Sequence, residues 1–229
     1  MLLDLPFHIP FVFILVVIIT FAFLMKALRQ ANYANKRIPL VVGFILLIWL
    51  VAQGILAYSG FYLNSTLRFP LALVPTLFVI VLLFTLPVKK YLDQLPLSTL
   101  TYLHTVRIPV EIVLFWLFSA GVLPEVLTFE GRNWDVLSGL TAPFIAYFCH
   151  VKQVWSKKVA LIWNFVAFAL VFNVVIHSVF TIASPFQQLA LDNPNEAILH
   201  IPFVWLPAFV VPVVWFAHFV AIKQLWKAD

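Results

Sequence analysis

Seven apolar runs, each near the length that crosses a bilayer, dominate this chain of 229 residues and leave it few possible folds. A helix needs about 20 predominantly apolar residues to span the hydrocarbon core. Such runs are predicted at about 8–28, 40–63, 70–88, 98–122, 134–151, 158–182 and 201–224, the fifth being short. Hydrocarbon offers no partner to a backbone N–H or C=O, so each run must close its hydrogen bonds internally as a helix. The predicted fold is therefore all-α: a polytopic membrane protein, a seven-transmembrane-helix bundle forming a single integral membrane domain over residues 1–229. No polar joint is long enough to hold a soluble core. Composition agrees, with 64% hydrophobic and 10% charged residues, where soluble domains carry about 45 to 50% and 25%.

Charge gives the orientation. The joints after the first, third and fifth runs and the C-terminal tail hold Lys26, Arg29, Lys36, Arg37, Lys89, Lys90, Lys152, Lys157, Lys158, Lys223 and Lys227, most of the 14 basic residues. Only Arg68 and Arg132 lie in the opposite joints. Cytoplasmic loops are enriched in Lys and Arg, so the N-terminus is predicted outside and the C-terminus cytoplasmic, in a plasma (inner) membrane. The net charge of +5 is absorbed by this topology. It forms no basic cluster with interleaved aromatics, and nucleic acid is not an expected partner. No lysine or arginine precedes Lys26, so the first run lacks the charged start of a cleaved signal peptide and is expected to be retained. Cys149 is the only cysteine, which excludes an intrachain disulfide and any CxxC motif.

Two connections on the outer side carry helix signals. Pro124 suits a first helical position, with Gly131 as a stop; Ser184, Pro185 and Gln187 have capping-box spacing, with Asp192, Asn193 and Pro194 as the stop. A short interfacial helix is predicted in each.

The chemistry is expected where polar groups enter the apolar runs. Arg107 and Glu111 fall near the middle of the fourth run, and with His104 they share one broad helical face. Pro109 removes one backbone donor and frees the carbonyl of Thr105 beside them. Charges at that depth are costly and mark functional sites. Asn173 and His177 stack four apart on the sixth run, Gln53 lies near the middle of the second, and Asn133 and Asp135 open the fifth. These seven residues, Gln53, Arg107, Glu111, Asn133, Asp135, Asn173 and His177, form the candidate ligand or proton site, expected to open outward. The bland alternative is that they lock helices together through ion pairs and interhelical hydrogen bonds.

Other chemistries have thinner support. The six histidines split between the two ends of the runs, no two stand four apart on one run, and HExxH is absent, so no metal site is predicted. Ser119, Ser138 and Ser178 lack GxSxG surroundings. The topology is similar to that of retinal proteins and G-protein-coupled receptors. Yet the last run has no mid-depth lysine for a Schiff base and no NPxxY, so the resemblance carries no activity.

The leading expectation is a small transporter or sensor that admits a small molecule or proton to the site around Arg107 and Glu111, with the lipid bilayer as its surroundings. An intramembrane enzyme acting on a lipid or quinone, with Glu111 and His177 as acid and base, is the first alternative. A structural partner in a membrane complex is the second. The sequence names no cofactor, substrate or oligomeric state.

Overall fold

The computed structural model describes residues 5–87 and 89–227, and they are all-α. Chain order runs α1 (His8–Gln30), α2 (Ile38–Tyr58), a 3-10 turn at Thr66–Arg68, α3 (Pro70–Thr85) and a short α4 (Lys89–Leu92). Next come α5 (Leu97–Leu103), a 3-10 turn at His104–Val106, α6 (Arg107–Ser119) and α7 (Val136–Ile145), which runs on as a π-helical turn over Ala146–Val151. Last are α8 (Lys157–Thr181), a π-helical turn at Leu206–Val210 and α9 (Val211–Trp226).

Six of these segments are long and apolar enough to cross a membrane: His8–Gln30, Ile38–Tyr58, Thr66–Thr85, Leu97–Ser119, Lys157–Thr181 and Leu206–Trp226. The chain is a multi-pass membrane protein. The Val136–Val151 segment is apolar but shorter than these six.

Burial ranks the helices by position. The α9 segment is 72% buried and Leu97–Ser119 is 61% buried, whereas the α3 and α8 segments are each 22% buried. The former therefore make the centre, and the latter offer most of their surface to lipid. Helix α1 completes the centre with a stripe at helical spacing, Ile9, Phe13, Val16, Thr20, Leu24, Ala27 and Leu28, packed against α5, α6 and the turn leading into α9.

Proline shapes the central helices, and other groups take over the carbonyls that it strands. Ahead of Pro109 the fourth span tightens into the 3-10 turn His104–Val106, dividing α5 from α6. Pro212 cannot donate to the Ala208 carbonyl four residues back, and the Trp49 indole of α2 does so at 2.9 Å. Trp205 returns the bond by donating to the Leu50 carbonyl at 2.8 Å. Two indoles thus stitch α2 to the start of the last span.

Neither expected interfacial helix forms. The first connection makes one 3-10 turn at Glu125–Leu127 and then doubles back, with the Arg132 amide on the Val126 carbonyl at 3.2 Å. Gly131 is the residue that permits this, since a Cβ there would lie 2.3 Å from the Glu125 carbonyl oxygen. In the second, Gln187 does not reach back to the Ser184 amide as a capping box requires. Its amide donates forward to the Leu189 and Ala190 carbonyls, and residues 184–193 stay in turns.

At the lysine-rich end, α9 is tied to the connection after α3. Lys223 donates to Asp93 at 2.5 Å and to the Lys89 carbonyl at 2.7 Å, Lys227 reaches Asp93 at 3.2 Å, and Gln224 donates to the Leu92 and Leu95 carbonyls.

Candidate functional site

Arg107 begins α6 directly after the 3-10 turn, and Glu111 follows one turn later; they are 2% and 1% exposed. A charge so deep must be partnered. The two do not pair with each other. The Arg107 Nε donates to Asp135 Oδ2 at 2.6 Å while Nη2 donates to Oδ1, the two-pronged match of a guanidinium with a carboxylate. Nη2 also donates to the Ala167 carbonyl at 2.8 Å, and Nη1 to His218 Nε2 at 3.1 Å.

The loop before α7 aims Asp135. Asn133 accepts the Asp135 amide on its Oδ1 at 3.0 Å, a turn that fixes the start of the helix. The Asn133 Nδ2 then donates to both Glu111 oxygens, at 2.8 and 2.7 Å, and to the Leu127 carbonyl at 2.9 Å. One asparagine therefore holds the two carboxylates in place. Close packing assists, because a Cβ on Gly139 of α7 would stand 2.8 Å from Ile108 Cγ1 and 3.3 Å from Arg107 Cβ.

On the other flank stands His218 of α9. Arginine is only a donor, so His218 Nε2 accepts and its proton lies on Nδ1, which donates to Asn164 Oδ1 at 2.9 Å. Asn164 in turn donates to the Ala160 carbonyl at 2.8 Å. His104 stacks on His218, with ring centroids 4.0 Å apart and planes at 23°, and Trp163 meets His104 edge-on at 5.4 Å. His104 Nδ1 is buried without a hydrogen-bond partner, as is the Ser138 Oγ of α7.

A single polar network thus runs from Glu111 through Asn133, Asp135, Arg107 and His218 to Asn164, linking α6, α7, α8 and α9. Its charge count is uneven: there are two carboxylates and one guanidinium, and Asp135 holds that guanidinium. Among its described hydrogen bonds, Glu111 has only the neutral amide of Asn133.

A family model described as domain of unknown function DUF8737 matches residues 86–226. The chain belongs to this family. The DUF8737 segment holds every member of the network, while α1, α2 and α3 precede it. No curated protein and no solved structure matches the chain.

Four of the seven residues singled out from sequence, Arg107, Glu111, Asn133 and Asp135, meet in this network. The other three are bonded elsewhere. Gln53 is 2% exposed and accepts the hydroxyl of Tyr62, which packs in a cluster with Ala57, Ile198 and Val204. Asn173 donates to the Arg132 carbonyl at 2.8 Å, and His177 Nδ1 bonds the Asn173 carbonyl of its own helix at 2.8 Å. Conversely, His218 and Asn164 belong to the network and were absent from the sequence-based set. Their signal was a polar residue inside an apolar run, the same signal that marks Asn173. Among the described residues no three His, Cys, Asp or Glu side chains converge as metal ligands do.

Proposed function

We propose that this member of DUF8737 is a small proton-linked transporter or sensor whose working group is Glu111, with Arg107 as the fixed counter-charge. The observation that carries the reading is a second buried carboxylate, Glu111, bonded to the neutral amide of Asn133 while Asp135 clasps the one guanidinium of the network. Two carboxylates buried beside a single cation repel each other, and such a pair favours binding one proton. Asp135 already has the two-pronged partner, so the exchangeable proton is assigned to Glu111. Asn133, which touches both Glu111 oxygens and the Asp135 amide, couples loss of that proton to the start of α7.

In this reading the chain crosses the membrane seven times, with the N-terminus outside and the C-terminus in the cytoplasm of a plasma (inner) membrane. The seventh crossing is Val136–Val151, whose 16 residues reach roughly 24 Å as a helix, a little short of an average bilayer core. Trp134 at one end and Lys152 at the other suit the two interfaces.

The competing reading is purely structural, and completeness of partnering favours it: each Arg107 nitrogen and each carboxylate oxygen of Glu111 and Asp135 has a partner. Reconstitution separates the two. Protein in liposomes with an imposed pH gradient should move protons, or give a pH-dependent infrared carboxyl band, and Glu111→Gln should abolish the signal while remaining folded. A folded wild-type protein that neither moves protons nor shows a band lost in Glu111→Gln would leave the structural reading standing.

A further inference from the structure

We infer that the cleft between α3 and α9 at the lysine-rich end is a binding site for an anionic phospholipid, with an acyl chain in the cleft and the headgroup phosphate on the lysines. The open cleft has a volume of about 360 Å³ and is lined by Ile80, Val81, Phe84 and Thr85 on one side and by Phe219, Ile222 and Lys223 on the other, the Thr85 hydroxyl being bonded to the Val81 carbonyl of its own helix. Walls so largely apolar suit a hydrocarbon chain better than a polar solute.

Charge at the mouth selects the headgroup. Lys223 bonds the Lys89 carbonyl at 2.7 Å, which holds the start of α4, with Lys89 and Lys90, beside the cleft. Lys227 follows one helical turn after Lys223. Lys223 and Lys227 pair with Asp93, while Lys89 and Lys90 open the short α4 that Lys223 tethers. Among the described residues Lys89 and Lys90 make no ion pair; the Lys90 ammonium lies over the Tyr91 ring, 5.5 Å from its centroid, and neither charge is neutralised by a carboxylate that a phosphate would have to displace. Basic pockets between spans at a membrane surface bind anionic headgroups in this way, each lysine contributing about 1 kcal/mol, close to five-fold in affinity. The site is independent of the Glu111 network and does not require that reading to hold.

Native mass spectrometry of the detergent-solubilised protein with added phosphatidylglycerol or phosphatidylcholine tests this. Wild-type protein should retain phosphatidylglycerol preferentially. The double substitution Lys89→Gln with Lys90→Gln should weaken that retention roughly twenty-five-fold. Lys157→Gln with Lys158→Gln, at the start of α8, is the control and should have little effect. Val81→Trp, at an exposed position lining the cleft, should lower retention by filling the space while leaving the lysines intact. Circular dichroism and size-exclusion profiles confirm that each variant is folded. Equal retention of the two lipids, an equal loss in both lysine pairs, or full competition by inorganic phosphate with Val81→Trp silent would each overturn the site.

Discussion

Arg107 reaches past Glu111, one turn along its own helix, to clasp Asp135 at the start of α7. The choice is geometric. A side chain at the first position of α6 can meet Asp135 with two parallel N–H bonds, whereas Glu111 is turned to Asn133. Breaking one member strands the other in a buried site. Arg107→Met or Asp135→Leu should each destabilise the fold by about 3 to 5 kcal/mol, and the two combined should lose less than the two single losses added together. Denaturant titration in detergent checks this, and simple additivity would show that the pair is not coupled.

The close approach of α7 to α6 predicts a second effect. Gly139→Ala places a methyl group against the Ile108 backbone nitrogen at 3.0 Å as well as its side chain. Backbone cannot give way as a flexible side chain can, so the helices must separate at the Arg107–Asp135 contact. A loss of about 1 to 3 kcal/mol is expected in the same titration.

Trp49 supplies a third. Its indole is the donor recorded on the Ala208 carbonyl that Pro212 cannot serve. Trp49→Phe keeps the ring and removes the N–H, and should cost about 1 to 3 kcal/mol by leaving a buried acceptor unpaired. Adding Pro212→Ala returns a backbone donor and should recover part of the loss. No recovery in the double variant would mean that Trp49 contributes through packing instead.

A fourth prediction concerns pH. Burial pushes the Asp93 carboxyl up, but the ammonium groups of Lys223 and Lys227 outweigh it and hold the group below its ordinary value. The unfolded carboxyl has a pKa of about 3.9, so the clamp contributes fully above that pH and is lost as pH falls through the lower folded value. The side chain is 37% exposed and well screened, so the effect is at most about 1 kcal/mol. Thermal melts of wild type and Asp93→Asn should therefore run parallel near neutrality and converge in acid.

Much of the fold was legible because lipid imposes a simple rule on the backbone. Six of the seven apolar runs correspond to helices long enough to span, and the seventh to a shorter one. Arg107 and Glu111 stood out because a charge inside such a run has no cheap explanation. Their partners were not legible, since depth along the membrane follows from sequence position but the direction a helix face points depends on packing. Asn173 and His177 show this: their four-residue spacing does bring them together, but the His177 ring bonds the Asn173 backbone carbonyl. The outer connections were misread for a local reason. Gln187 had two competing sets of partners, and the forward carbonyls won over the helix cap.

The network also dictates an order of events during synthesis. The Leu97–Ser119 segment has the lowest mean hydropathy of the six spans, 1.3, and carries Arg107. It emerges from the ribosome before Asp135, Ala167 and His218 have been made. Until the last span arrives, the guanidinium lacks part of its shell, and the weakest span is the one that must wait. Chains stopped after Thr181 should be cleared by membrane proteases faster than full-length chains, and Arg107→Leu should slow that clearance. That result would make the arrival of the final helix the step that completes the shell around the charge and so distinguishes a finished chain from an unfinished one.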